Sequence, residues 1–294
     1  MIGNSEKNEL LIFQKGFNYS QDGPGNRLVY HLQGCNLSCA WCANPEGIPL
    51  KPTMMVIGKL KDNYCPFGAI KNGKLERKVC LNCRFCDCVT KYRNKSIRLS
   101  SQKVKIEDIV SEAVSCKPMF FERGGVTFTG GEPTMQFSAL YKTICLLKNN
   151  DISVAIETNG TNPLLPKLFG LTDILMLDCK QVDATLHKKY TGLSNNVILK
   201  NIRLAAEGGY NPQIRIPFIH NVNDRQEDIL EFLHFFKSIK GEFTVEILPY
   251  HEYGKEKWKQ CGMNYTVSDG KVLLSTVKEF EKLLIQNKVN VIHT

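Results

Sequence analysis

The sequence predicts an α/β protein, a partial (β/α)6 TIM-like barrel interrupted by one small cysteine-rich insertion. Three observations lead there. From Lys105 onward, short apolar runs alternate with amphipathic helical stretches, as parallel strands joined by crossover helices do. The residues richest in chemistry stand at the ends of those runs, where a barrel of this kind gathers its functional groups. Between Pro49 and Ser101 the apolar periodicity fades while cysteines and lysines accumulate, which marks a separate segment. A chain of 294 residues is long enough to bury one barrel-sized core.

Residues 10–17 form the first expected strand, followed by the turn-rich Asp22-Gly23-Pro24-Gly25-Asn26-Arg27, in which two glycines around a proline hold a tight loop. Leu28-Val29-Tyr30-His31-Leu32 is the next strand. Beyond the insertion, Ile106 to Cys116 has helical apolar spacing, Gly125 to Thr129 is a strand, and Phe137 to Leu147 a helix. Strands recur at 153–156, 174–178, 213–217 and 243–248, with helices near 164–170, 197–207, 226–239 and 270–287, and a last strand at 289–292. The expected division is a barrel made of 1–48 and 102–294, with 49–101 as the insertion.

Composition narrows the function. No apolar stretch is long enough to cross a membrane, and Met1 to Glu9 is polar and lacks a secretory core, so the cytoplasm is the expected compartment. Twelve cysteines in such a protein point to metal or redox chemistry, not to a disulfide framework. The net charge of +9 is uneven: residues 51–105 hold fourteen Lys/Arg against three Asp/Glu. No aromatic-interleaved or helix-turn-helix pattern accompanies that patch, so nucleic acid is not expected. Basic side chains there suit a negatively charged cluster or an acidic electron donor; a solvated basic face is the plainer reading.

Two cysteine groups stand out. Cys35-x3-Cys39-x2-Cys42 follows the strand at 28–33. Thiolates suit iron–sulfur clusters or zinc, and both a structural zinc and a ferredoxin cluster take a fourth ligand. The next cysteine is Cys65, so three thiolates on a 4Fe–4S cluster would leave one iron open. In the insertion, Cys65-Pro66 looks like the end of a bacterial ferredoxin motif and Cys80-x2-Cys83-x2-Cys86 like the start of another. Met55, Gly58, Lys61 and Thr90 stand where a second cluster's ligands would be, so a halved, ferredoxin-like insert with one auxiliary 4Fe–4S cluster on Cys65, Cys80, Cys83 and Cys86 is expected. Cys88 could replace Cys86, and zinc on the same four cysteines is the alternative.

The later strands end in Gly130-Gly131-Glu132-Pro133, Glu157-Thr158-Asn159-Gly160, and Met176-Leu177-Asp178-Cys179-Lys180. Glycines admit close backbone approach, and an acid and a lysine on one inward face beside another acid suit a zwitterionic amino acid. Structural salt bridges are the competing reading for Asp178 and Lys180, and an acid-paired core arginine for Arg215. The strand at 243–248 runs into Pro249-Tyr250-His251.

The triad with Trp41 before its last cysteine, followed by Gly-Gly-Glu-Pro, resembles the radical S-adenosylmethionine (SAM) enzymes. With Asp22-Gly-Pro-Gly and Pro-Tyr-His added, nearly the whole chain resembles the glycyl-radical-enzyme activating enzymes, the group of the pyruvate formate-lyase activase. That resemblance implies a barrel of the radical SAM type, with Cys35, Cys39 and Cys42 on the SAM-binding 4Fe–4S cluster. It implies SAM contacts from Trp41, Gly130, Gly131, Glu132, Glu157, Asp178, Lys180, Arg215 and His251. It also implies a possible monovalent cation on Glu157, Thr158, Met176 and Asp178, and a substrate-peptide loop of Asp22, Gly23, Pro24, Gly25 and Arg27. The implied reaction is reductive SAM cleavage to a 5′-deoxyadenosyl radical, which takes a hydrogen from a glycine of a partner glycyl radical enzyme; no side chain serves as a general base. Flavodoxin or ferredoxin is the implied electron donor. The chain departs from the family in having Glu157 where the pyruvate formate-lyase branch has Asp, and one auxiliary cluster in place of two. Rival readings are a radical SAM enzyme with another target, an iron–sulfur electron carrier and a zinc-binding interaction module.

Overall fold

The structure, a computed structural model, describes residues 8–17, 22–81, 87–90 and 95–293. In chain order the barrel begins with β1 (Glu9–Phe17) and β2 (Arg27–Leu32). The following segment holds β3 (Met54–Val56), β4 (Ile70–Lys71), β5 (Lys74–Leu75), α1 (Arg77–Leu81), α2 (Asp87–Thr90) and β6 (Ile97–Leu99). Next come β7 (Gln102–Lys105), α3 (Ile106–Ser115), α4 (Lys117–Phe120), β8 (Gly125–Gly130), α5 (Phe137–Lys148), β9 (Val154–Thr158) and β10 (Ile174–Asp178). The chain continues through α6 (Ala184–Thr191), α7 (Asn196–Glu207), β11 (Gln213–Phe218), α8 (Gln226–Lys237), β12 (Thr244–Pro249), α9 (Lys255–Cys261), α10 (Leu274–Gln286) and β13 (Asn290–Val291).

Among the described residues, nine strands make one sheet in the order β13-β12-β11-β10-β9-β8-β2-β1-β7. From β2 to β13 every neighbouring pair is parallel, which realises the alternation in the sequence. β1 runs antiparallel to β2, and β7 antiparallel to β1. β7 was not expected, because Gln-Lys-Val-Lys has a single apolar residue and pairs only at the sheet's edge. The stretch expected as a helix near 164–170 is a 3₁₀ helix, Leu165–Leu171, with Pro166 and Gly170 inside it. α6 and α9 were also unexpected. Both are short and mostly polar, and both stop at a left-handed glycine, Gly192 and Gly262.

Side chains alternate along each central strand. Leu28, Tyr30 and Leu32 of β2, Val126 and Phe128 of β8, Val154 and Ile156 of β9, and Ile214, Ile216 and Phe218 of β11 join the main apolar core with the helices. Of the intervening residues, which face the other way, most are polar: His31, Thr127, Thr129, Glu157, Asp178, Arg215 and Glu246, with Val29, Ala155 and Met176 among them. Helices thus cover one face of the sheet, and the opposite face is lined with buried charge. The sheet is curled: groups at the end of β10 and after β12 reach the loop after β2, although other strands lie between them.

In the segment after β2, β3 pairs with β6, and β4 with β5 forms a hairpin. Met54, Cys88 and Ile97 form a small apolar cluster of their own, joined by Cys80 and Leu75. Among the described residues, no helix is long and apolar enough to cross a membrane.

Candidate active site

The three cysteines of the triad lie on the loop that leaves β2. Its backbone is fixed by Cys35 N donating to the Ile48 carbonyl at 3.0 Å, Ser38 N to the Thr191 carbonyl at 2.8 Å, and Cys42 N to the Cys39 carbonyl at 3.1 Å. Burial pushes each thiol up to about 12, and each thiol feels another of the three. One cation works against that at all three sites: the Lys180 ammonium. Leu37 N and the Asn159 amide also donate to Cys35 Sγ, at 3.4 and 3.7 Å. Three neighbouring thiols, Cys39 buried and Cys35 and Cys42 half-buried, a shared cation and N–H donors on sulfur fit an iron–sulfur cluster, whose binding would release the thiol protons. Among the described residues, no set of three His, Cys, Asp or Glu is arranged for a single metal ion.

The Gly-Gly-Glu segment packs directly against this loop. A Cβ on Gly131 would lie 2.4 Å from the Gly34 carbonyl oxygen and 2.6 Å from that of Gly47. Glu132 is wholly buried, and its carboxylate accepts from Thr134 N (3.0 Å), the Thr134 hydroxyl, the Thr158 hydroxyl (2.7 Å) and Asn159 N (2.6 Å). The carboxylate therefore ties the end of β8 to the end of β9. A ligand could meet this segment through its backbone.

Glu157, Asp178, Lys180 and Arg215 come together on the polar face. The Arg215 guanidinium is buried between Glu157 (2.9 Å) and Glu246 (3.0 Å), and it is the main influence holding the Glu157 carboxyl below its usual range. Thr129 also donates to Glu157, at 2.7 Å. Lys180 pairs with Asp178 at 2.5 Å, on mostly buried side chains. Met176 lies opposite Glu157 in the sheet, while the Thr158 hydroxyl is turned to Glu132. Sequence reasoning missed Thr129, Glu246 and His31. Each is a polar residue inside an apolar run, which is the signal that could have found them. Burial holds His31 down to about 4, so it is neutral near pH 7.

The Asp22–Gly25 loop folds onto the same face. Asp22 is buried and hydrogen-bonded to Glu157, and burial with that neighbouring charge pushes its carboxyl up to about 8. Its carbonyl accepts from Thr127 at 2.7 Å, and Gly23 approaches the Met176 side chain. Gly25 adopts a positive φ of 77° against the backbone of Arg123 and Gly124, and Pro24 stands between the two glycines. Arg27 is buried. Its guanidinium is buried against Thr127 Oγ1 and the carbonyls of Val126, Ser153 and Arg123, where it staples the start of β2 to β8 and β9.

Trp41 stacks at a tilt on Tyr190, 6.4 Å between ring centres. His251 follows β12, half-buried against Tyr253, and burial lowers its pKa. In the segment after β2, Cys65 is half-buried and its sulfur accepts from Ala69 N at 3.3 Å. Cys80 borders the small apolar cluster, and Cys88 sits within it. Cys83 and Cys86 lie outside the described residues.

The Radical SAM superfamily model matches residues 80–233. A 4-hydroxyphenylacetate decarboxylase activating enzyme of Clostridioides difficile (strain 630) is 30% identical over 300 residues, covering 96% of this chain and 95% of that one. The chain belongs to the radical SAM superfamily. Within it, the similar proteins are activating enzymes of glycyl radical enzymes. A trans-4-hydroxy-L-proline dehydratase activating enzyme of C. difficile is 34% identical over 83% of this chain and 85% of its own. In fold, the chain resembles a radical SAM methyltransferase of Sphaerobacter thermophilus, with a TM-score of 0.55 and 12% identity over 94% of this chain and 67% of the other. This radical SAM activating enzyme therefore uses a 4Fe–4S cluster and SAM.

Proposed function

We propose that Cys35, Cys39 and Cys42 hold the SAM-binding 4Fe–4S cluster and that the polar face of the sheet receives both SAM and the glycine of the partner enzyme. The observation that carries this is the common environment of the three thiols: one loop, shared burial and one cation, Lys180. When bound, the cluster supplies the electron that splits SAM into methionine and a 5′-deoxyadenosyl radical, which then takes a hydrogen atom from the glycine. The chain's residues orient and shield. Lys180 and Asp178 present a cation and an anion to the two charges of the methionyl group, and Arg215 keeps Glu157 ionised. Trp41 and His251 flank the approach to the triad and to the end of β12, and Gly130 and Gly131 offer backbone. Buried Asp22 and half-buried Glu157 mark where the glycine segment would enter, with the Gly23–Gly25 backbone beside it. A monovalent cation on Glu157, Thr158, Met176 and Asp178 would compete with Arg215 and Lys180 for the two acids.

The segment 49–101 is proposed as the unit carrying one auxiliary 4Fe–4S cluster on Cys65, Cys80, Cys83 and Cys86. An acidic flavodoxin or ferredoxin would reduce the enzyme, favoured by the basic charge of that segment. The relatives activate a decarboxylase and a dehydratase, and a glycyl radical enzyme is the proposed partner here too.

Cys39→Ala is expected to abolish 5′-deoxyadenosine formation under dithionite while the protein keeps its circular dichroism; continued formation would overturn the site. Cys65→Ala should remove iron equivalent to about one 4Fe–4S cluster per chain and leave some SAM cleavage. An unchanged iron content would remove the auxiliary cluster.

A further inference from the structure

The loop carrying the triad is gripped from outside by α9, a seven-residue helix that follows β12. The Trp258 indole N–H donates to the Cys42 carbonyl at 2.8 Å. The Cys42 N–H already donates to Cys39, so both backbone groups of this ligand residue are committed, one of them by a helix remote in sequence. Gly254, at the start of α9, has an ordinary φ of −79°, yet a Cβ there would lie 2.7 Å from the Cys42 carbonyl oxygen and from Ala43. Glycine is needed at 254 for this close approach, not for its turn. One helical step on, the Lys257 ammonium bonds Glu46 and Asn44, each at 2.8 Å, and the Glu46 side chain is 3% exposed. A buried carboxylate needs such a partner, so this pair fixes the far side of the loop. The other end of α9 meets the insertion. Arg77 donates to the Gln260 carbonyl at 2.9 Å and to the Met54 carbonyl on β3 at 2.7 Å.

We infer that α9 is a strut between the insertion and the cluster loop. Trp258 is a positioning residue for Cys42, Lys257 acts on the same loop through Glu46, and Arg77 makes that setting depend on the insertion. The inference rests on the reading that Cys35, Cys39 and Cys42 hold the SAM-binding cluster. Groups that orient metal ligands from behind are worth about 10- to 100-fold in affinity or activity, so the strut acts on the reaction without touching SAM.

Trp258→Phe keeps a ring against Tyr265 and removes the N–H. In the reconstituted full-length variant, the change that SAM induces in the electron paramagnetic resonance spectrum of the reduced protein should differ in line shape from the wild type. SAM cleavage should fall about tenfold. Arg77→Gln should move the same SAM-dependent signal in the same direction by a smaller amount. A Trp258→Phe protein that melts earlier but keeps the wild-type SAM-dependent spectrum and rate overturns the proposal, because the contact would then be packing alone. If Trp258→Phe does not accumulate as folded protein, Lys257→Met is read by the same spectrum, with the same outcomes deciding. A wild-type protein whose spectrum ignores SAM removes the cluster assignment, and the strut with it.

Discussion

Asp22 shows how one buried acid makes stability depend on pH. Its carboxyl is pushed up to about 8 by burial and by Glu157, whereas an unfolded aspartate titrates near about 4. Between those values the folded chain binds a proton that the unfolded chain has released, so this contribution is full below about 4 and is lost as pH rises toward 8. For this group alone, stability should fall by up to about 1.4 kcal/mol per pH unit across that window. Asp22→Asn, whose amide can still donate to Glu157, should flatten that slope in urea melts between pH 5 and about 8. Lys180 is the other residue on which the site turns. Its pKa is raised, chiefly by Asp178 acting against burial, so it stays charged beside the three thiols at any pH the protein meets. The pair Asp178–Lys180 was visible in the sequence as an acid and a lysine two positions apart. The reach of Lys180 to the cysteines was not, because it depends on how far the sheet curls.

At the scale of elements, the junction of β8 with the cysteine loop tolerates no side chain. Gly131→Ala would push a methyl group into the carbonyls of Gly34 and Gly47, which should cost about 2 kcal/mol or more and lower iron incorporation at the triad. A thermal melt and an iron assay check both. The central strands were legible because each alternates apolar and polar residues with a period of two; Thr127-Phe128-Thr129 and Ile214-Arg215-Ile216 carry the pattern openly. β7 and α9 were not legible. An edge strand with one apolar residue carries little periodicity, and in α9 the signal reduces to Trp258 and Cys261, three positions apart. Glu132 was legible as a functional motif, but its carboxylate turned out to be committed to four internal donors. Sequence spacing can place an acid at a strand end without showing what it bonds.

At the scale of the molecule, charge is segregated. In the compact stretch from Lys59 to Leu75, Lys59, Lys61, Lys71 and Lys74 are exposed around Cys65 and a Phe67 that is 51% exposed. Asp62, whose carboxylate accepts from Asn72 N and Gly73 N at 3.0 and 2.9 Å and so stays ionised, offsets only one of the four. Reversing Lys61, Lys71 and Lys74 to Glu together should slow reduction by an acidic flavodoxin about tenfold or more at low ionic strength. The gap should close as salt rises, and cleavage driven by dithionite should be unaffected. The sheet itself has a further consequence. Among the described residues it runs from β13 to β7 without those two strands meeting, and β13 contributes only two residues. A ring of strands joined end to end can be entered only along its axis, by something with a free tip. A loop whose two limbs stay rooted in a second protein has no free tip, so only a ring left unclosed, as this sheet is among the described residues, has a side along which such a loop could be laid, as a cord drops into a hook.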